Sequence, residues 1–277
     1  MNSNVFLRKN IALILGLMFL MSSNLSAHEM WIEPIHYELK LQEKILAHEK
    51  VGQNFKGNEY SYLSSSYKSL KLTVNGKTRD VKSRIGDIPA INEVATEEGL
   101  TILWAETTHS DISYKTWKKF EDFIKSKGLD WVLDEHKKRG LPAKNFIEAF
   151  SRYPKSLIKV GDGKGSDQKV GMPIEWVAET NPYTDSDDGV RLHLYWQGKP
   201  FVNTHVSVFN RLKNELIVTD LKTDDKGMVI ISRAKGGQFL INAVQMIEPS
   251  ESVKTQTGAV WESLWASLTY ELPPLND

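Results

Sequence analysis

The chain contains no cysteine. That absence removes disulfide scaffolds, thiolate zinc sites, iron–sulfur clusters and cysteine nucleophiles together, leaving nitrogen and oxygen as the expected metal donors. It also lacks an excess of either charge. With 35 Lys+Arg against 35 Asp+Glu there is no electrostatic footprint for a nucleic-acid partner. Compositional bias is missing as well. A 40% hydrophobic and 25% charged chain is an ordinary globular one, which sets aside disorder, collagen-like repeats and whole-chain coiled coil.

The apolar run Ile11 to Met21 is too short for a comfortable membrane span, and it follows Arg8 and Lys9. Leu25-Ser26-Ala27 closes it in the manner of a cleavage site, so residues 1–27 are expected to be a signal peptide removed after Ala27. No cysteine follows to carry a lipid. The mature chain is expected in the periplasm, with Arg8 and Lys9 gone and 33 basic residues against 35 acidic, a net charge of −2.

Cleavage there exposes His28-Glu29-Met30-Trp31, the sharpest chemical feature of the sequence. An N-terminal histidine offers its α-amine and imidazole Nδ1 to one ion and closes a small chelate ring without ordering a loop. Two nitrogens suit nickel(II), cobalt(II) or copper(II) better than calcium or magnesium. The amine has a reference pKa near 8 and the imidazole near 6.5, so few protons need displacing at about pH 7.

From about residue 35 to 108 the pattern is β. Ile35, Tyr37, Leu39 and Leu41 alternate with polar residues, and Asn75-Gly76 joins two apolar runs as a type I′ hairpin turn. Residues 116–152 break this pattern. Thr116 precedes Trp117, Phe120, Phe123 and Ile124 at helical spacing, with Gly128 ending the run. A second helix carries Leu129, Val132, Leu133 and His136 up to Gly140, and a third short helix is expected around Phe146, Ile147 and Phe150. Strand returns over Tyr153 to Val160. Gly161 to Asp167 is a glycine-rich linker without the Gly-Lys-Ser/Thr ending of a phosphate loop. Beyond residue 170, strands recur every 8–12 residues with turns such as Thr223-Asp224-Asp225-Lys226-Gly227 between them. The expected fold is therefore mostly β: two antiparallel β-sandwich units of immunoglobulin or prealbumin type. Their expected bounds are 28–165, with the helical insertion 116–152, and 166–277.

The remaining histidines are 36, 48, 109, 136, 193 and 205. His36 and His48 read as surface residues and His136 as helix packing near a C-terminus, where positive charge is favoured. His109 begins a loop at a strand end. His193 and His205 sit on neighbouring strands that could face each other. A third ligand beside the two nitrogens of His28 is expected from His109 first, then His205 or His193. Glu29 is a weaker candidate, because successive side chains of an extended segment point oppositely. Most of the tryptophans fall within apolar strand or helix patterns and are expected in the core, against a sugar-binding role. The acidic run Asp185, Asp187, Asp188 lacks calcium-loop spacing and reads as a turn.

The segments Ala27-His28-Glu29-Met30-Trp31-Ile32-Glu33-Pro34, Val51-Gly52-Gln53-Asn54-Phe55-Lys56-Gly57 and Phe150 to Leu157 together resemble the DUF4198 family. So do Gly198-Lys199-Pro200, the turn at Thr223 to Gly227, and Trp261-Glu262-Ser263-Leu264-Trp265-Ala266-Ser267-Leu268-Thr269. The resemblance implies a periplasmic, β-rich metal-handling protein of nickel/cobalt uptake systems, not an enzyme, working beside an inner-membrane transporter, with His28 as ligand. Relatives carry Ala-Val-His-Met where this chain has Ala243-Val244-Gln245-Met246. Two other readings remain: a copper enzyme that oxidises glycans through a histidine brace, and a β module that binds no metal.

Overall fold

The computed structural model describes residues 28–186, 189–234 and 236–273; the expected leader lies outside them, as do Asp187 and Asp188 of the acidic run. In chain order the first elements are β1 (Glu29–Pro34), β2 (Glu38–Leu39), β3 (Lys44–Gln53), β4 (Lys56–Tyr60), β5 (Tyr67–Val74), β6 (Lys77–Asp80) and β7 (Ile91–Val94). Next come β8 (Gly99–Thr107), β9 (Ser110–Tyr114), α1 (Trp117–Ser126), α2 (Trp131–Lys138) and β10 (Phe146–Val160). The chain continues through β11 (Ile174–Ala178), β12 (Gly189–Trp196), β13 (Lys199–Pro200), β14 (His205–Leu212), β15 (Glu215–Lys222) and β16 (Met228–Ser232). It ends with β17 (Gly237–Ile247), α3 (Glu251–Thr257) and β18 (Trp261–Leu272).

A ten-stranded sheet forms the middle of the molecule, in the order β15-β14-β17-β18-β10-β8-β5-β6 with β2 and β9 also on β10. Its centre is the parallel pair β10–β18, which joins residues of both halves of the chain along one ladder from Glu148↔Trp261 to Ser156↔Thr269. Alternation then decides what covers each face. Leu264, Ala266, Leu268 and Tyr270 enter the core under the sheet formed by β11, β12, β13 and β16. Trp261 and Trp265, on the other face of β18, pack under α1 and α2. The same face carries the sheet of β1, β3, β4 and β7, over Leu70, Leu72, Leu103 and Ile158. The molecule is therefore mostly β in mixed sheets with a small helical insertion, and the two expected sandwich units share the central sheet.

Several local expectations are met for the stated reasons. Asn75 and Gly76 have φ of 49° and 74°, as a type I′ turn requires. Both insertion helices are followed by a left-handed glycine, Gly128 and Gly140. The third helix does not form. Residues 146–150 open β10 and pair with β9, because their alternate residues are held on both sides by neighbouring strands. Pro154 sits in the middle of this long strand without costing a ladder bond, since the β9 pairing stops at Phe150 and the β8 pairing starts at Leu157. The glycine-rich linker is pinned: Asp167 pairs with the fully buried Lys155 at 3.1 Å, and Asn181 Nδ2 donates to the carbonyls of Gly163 and Gly165. Trp131 departs from the core expectation and is 48% exposed.

Candidate functional site

The site is built from β1. Its antiparallel register sets Met30 opposite Val51 and Ile32 opposite Glu49 on β3. Extended geometry places His28, Met30 and Ile32 on one face and Glu29, Trp31 and Glu33 on the other. The first face opens on a cavity of about 360 Å³ lined by His28 and Met30 together with Glu49, Tyr60, Asp111 and Arg152.

β1 pairs with β3 alone, so the carbonyls along its outer edge need other donors. Side chains of β10 and β18 supply them. Arg152 donates to the His28 carbonyl through Nε at 3.2 Å and Nη2 at 3.1 Å. The buried hydroxyls of Ser267 and Thr269 donate to the carbonyls of Met30 and Ile32, each at 2.6 Å. Three alternate carbonyls are thus held by three side chains, which fixes the strand leading into His28.

Burial holds the His28 imidazole below its ordinary pKa, and Arg152 and Lys127 add to that effect against Glu29. The ring is then neutral near pH 7, the form in which imidazole ligates a metal. Burial also pulls Arg152 down to about 10, still cationic at neutral pH, and its guanidinium lies 4.4 Å from the Phe150 ring centroid. Glu49 is pushed up to about 7 by burial, with Arg152 opposing.

On the opposite face of β1, the Glu29 carboxylate meets Lys127 Nζ at 2.5 Å, and that ammonium lies 5.1 Å from the Trp265 ring centroid. Glu29 therefore points away from the His28 cavity, as strand alternation requires. The same hairpin explains a sequence motif. Asn54 and Phe55 both have positive φ, and Phe55 is buried against Trp31 and beneath the Arg211 guanidinium. A Cβ on Gly57 would lie 2.7 Å from the Trp31 ring and 2.6 Å from the Val51 carbonyl oxygen, so this crossing of β3 and β4 admits only glycine.

Among the described residues no other histidine lines this cavity. Thr108 and Ser110 line the cavity, but the ring of His109 between them turns to Glu262, with Nε2 2.9 Å from Oε1. His205 Nε2 lies 3.3 Å from Asp220 and 3.2 Å from Ser207 Oγ. His193 Nε2 lies 3.0 Å from Glu179. His193 and His205 do not face each other, because β12 and β14 belong to different sheets. His136 is 1% exposed, accepting from Trp261 Nε1 and bonded to the Pro142 carbonyl, which is the packing role expected of it. Among the described residues no three His, Asp or Glu side chains gather to hold an ion.

Gln245 is two residues from Ala243 and Ile247, which meet the core under the sheet of β11, β12, β13 and β16, so it faces away from β1. A histidine there could not join His28, and its replacement by glutamine leaves the cavity unchanged. Arg152, Glu49 and Tyr60 were not legible as site residues. They reach the cavity through the β3–β4 hairpin and the β10–β18 pairing, which carry no short-range signal.

A family model described as domain of unknown function (DUF4198) matches residues 25–247, a span that takes in β1, the cavity and Arg152. No curated protein matches the chain. Among solved structures, the D0-D1 domain of Intimin aligns at 11% identity over 86% of this chain and 96% of that one. Its TM-score is 0.21, too low to add to the fold described above. Among the described residues no helix is long and apolar enough to cross a membrane.

Proposed function

The chain belongs to the DUF4198 family, and from the cavity at His28 we propose that it is an exported metal-binding protein. In this reading signal cleavage after Ala27 frees the His28 amine. Amine and Nδ1 then chelate one transition-metal ion, which the protein hands to an inner-membrane transporter. Nickel and cobalt are the cargo that the family resemblance implies.

One observation carries the reading. The first residue of the expected mature chain stands at a cavity with a half-buried ring held in its neutral form, and its carbonyl is clamped by Arg152. A chelate made by a chain terminus gains affinity when the terminus is already ordered, because less conformational entropy is lost on binding. A copper oxygenase of the histidine-brace kind needs a second imidazole at the ion. Among the described residues none lines this cavity, which favours capture over catalysis.

Calorimetric titration of the processed protein with nickel, cobalt and copper tests this. Binding should weaken as pH falls, since protons compete for both nitrogens. Absence of binding at pH 7.5 for all three ions would leave the non-metal module as the better reading.

A further inference from the structure

The chelate of His28 supplies two nitrogens, and the third donor decides which metal the site holds. The carboxylates are poorly placed for it. Glu49 stands opposite Ile32, four residues along the ladder from His28, about 13 Å at the usual strand rise. Asp111 is an exposed side chain of β9, and no cluster of His, Asp or Glu joins it with His28 among the described residues. The neighbour on the same face of the same strand is Met30, with its Cα about 6–7 Å from that of His28. A methionine side chain spans most of that distance.

We propose that the cavity at His28 is a copper(I) site in which the Met30 thioether joins the amine and imidazole nitrogens. This rests on the proposed chelate and names copper(I) as its cargo, in place of the nickel and cobalt that the family resemblance implies. Met30 is 3% exposed yet lines the cavity, so its side chain is sheltered from bulk water, and the lining also includes Val51, Ile112 and Phe150. Soft thioether ligands select copper(I), whereas nickel(II) and cobalt(II) gain little from them. In a chain without cysteine, methionine is the available soft donor, a class that counting cysteines overlooks. The other methionines of the mature chain do not line this cavity: Met172 and Met246 are packed in the two cores, and Met228 lies on β16. The carbonyl of Met30 is held by Ser267, so the residue is fixed at its backbone while its flexible side chain adapts to an ion.

Silver(I), a redox-inert soft ion, is the probe, with nickel(II) as the comparison. Protein that begins at His28 is labelled with ¹³C at the methionine methyls and titrated with each ion. Silver(I) should move the Met30 methyl signal and leave those of Met172, Met228 and Met246 in place. Met30→Leu, which keeps side-chain volume, should lower silver(I) affinity by at least the roughly tenfold that losing even an outer-shell contact costs. Nickel(II) affinity should stay within about twofold of wild type in that variant, which also serves to show that the cavity is intact. Copper(I) held under anaerobic conditions should show a sulfur scatterer by X-ray absorption, absent in Met30→Leu. An unmoved Met30 methyl, or equal silver(I) affinity in wild type and variant, overturns the thioether site even if nickel(II) still binds at the amine. Failure of both ions to bind wild type removes the underlying chelate as well.

Discussion

Glu148 allows the buried face around β10 to be tested by a single substitution. Its carboxyl has no exposed surface, accepting from Tyr114 Oη at 2.9 Å on one oxygen and from Ser263 Oγ on the other. Burial raises its pKa from 4.5 to about 7, with the two hydroxyls and Arg152 opposing. A folded pKa above the unfolded one means that the native state binds this proton more tightly. The contribution to stability is therefore complete below about pH 4.5 and is lost as pH rises through about 7. At 1.36 kcal/mol per unit the loss approaches roughly 3 kcal/mol by pH 8, worth about 6–12 °C in melting temperature for a chain of this size. Glu148→Gln keeps the shape and cannot ionise. Tyr114 donates to the amide oxygen, and Ser263 then accepts from the amide while still accepting from Trp265 Nε1. Denaturant melts at pH 5 and pH 8 should show wild type losing stability with pH more steeply than the variant. Glu49, also near 7, contributes to both curves, so the difference isolates Glu148. Parallel curves would refute the assignment of a buried, proton-holding carboxyl.

Three further outcomes follow from the same geometry. Arg152→Met removes the clamp on the His28 carbonyl and should weaken metal binding on the order of 10–100-fold, read by titration, with the far-ultraviolet dichroism unchanged. Gly57→Ala drives a methyl into Trp31 and the Val51 carbonyl and should cost about 1–3 kcal/mol in thermal melts; an unchanged melt would mean that the β3–β4 crossing relaxes freely. Lys127→Met leaves the buried Glu29 carboxylate unpaired and should cost about 3–5 kcal/mol, largely recovered in the double variant with Glu29→Gln.

Much of the fold is readable from local pattern, because period-two alternation, Asn75-Gly76 and the left-handed glycines after α1 and α2 act over a few residues. The exception at residues 146–150 is instructive. Phe146, Ile147 and Phe150 match helical spacing, but β9 and β18 claim both edges of that segment, and pairing over long sequence distance outweighs local preference. The site divides in the same way. His28 is visible from the cleavage pattern, whereas Met30 carries no signal of its own and reaches the cavity face only through the pairing of β1 with β3. Arg152, Ser267 and Thr269 reach β1 only because β10 and β18 run parallel at the centre of the large sheet. The partner of His109 is hidden from the sequence in the same way, since Glu262 lies on β18, far along the chain.

The central claim is that the free amine of His28 is a ligand, and one paired measurement addresses it directly. Protein beginning at His28, confirmed by intact mass, is titrated with nickel(II) beside an otherwise identical protein carrying one alanine before His28. The extension leaves the imidazole, the cavity and Arg152 in place and turns the amine into an amide. Tight 1:1 binding is expected in the first protein and a loss of at least about 100-fold in the second, since removing a direct ligand exceeds the 10–100-fold cost of outer-shell changes. Equal affinities in the two proteins would contradict that claim.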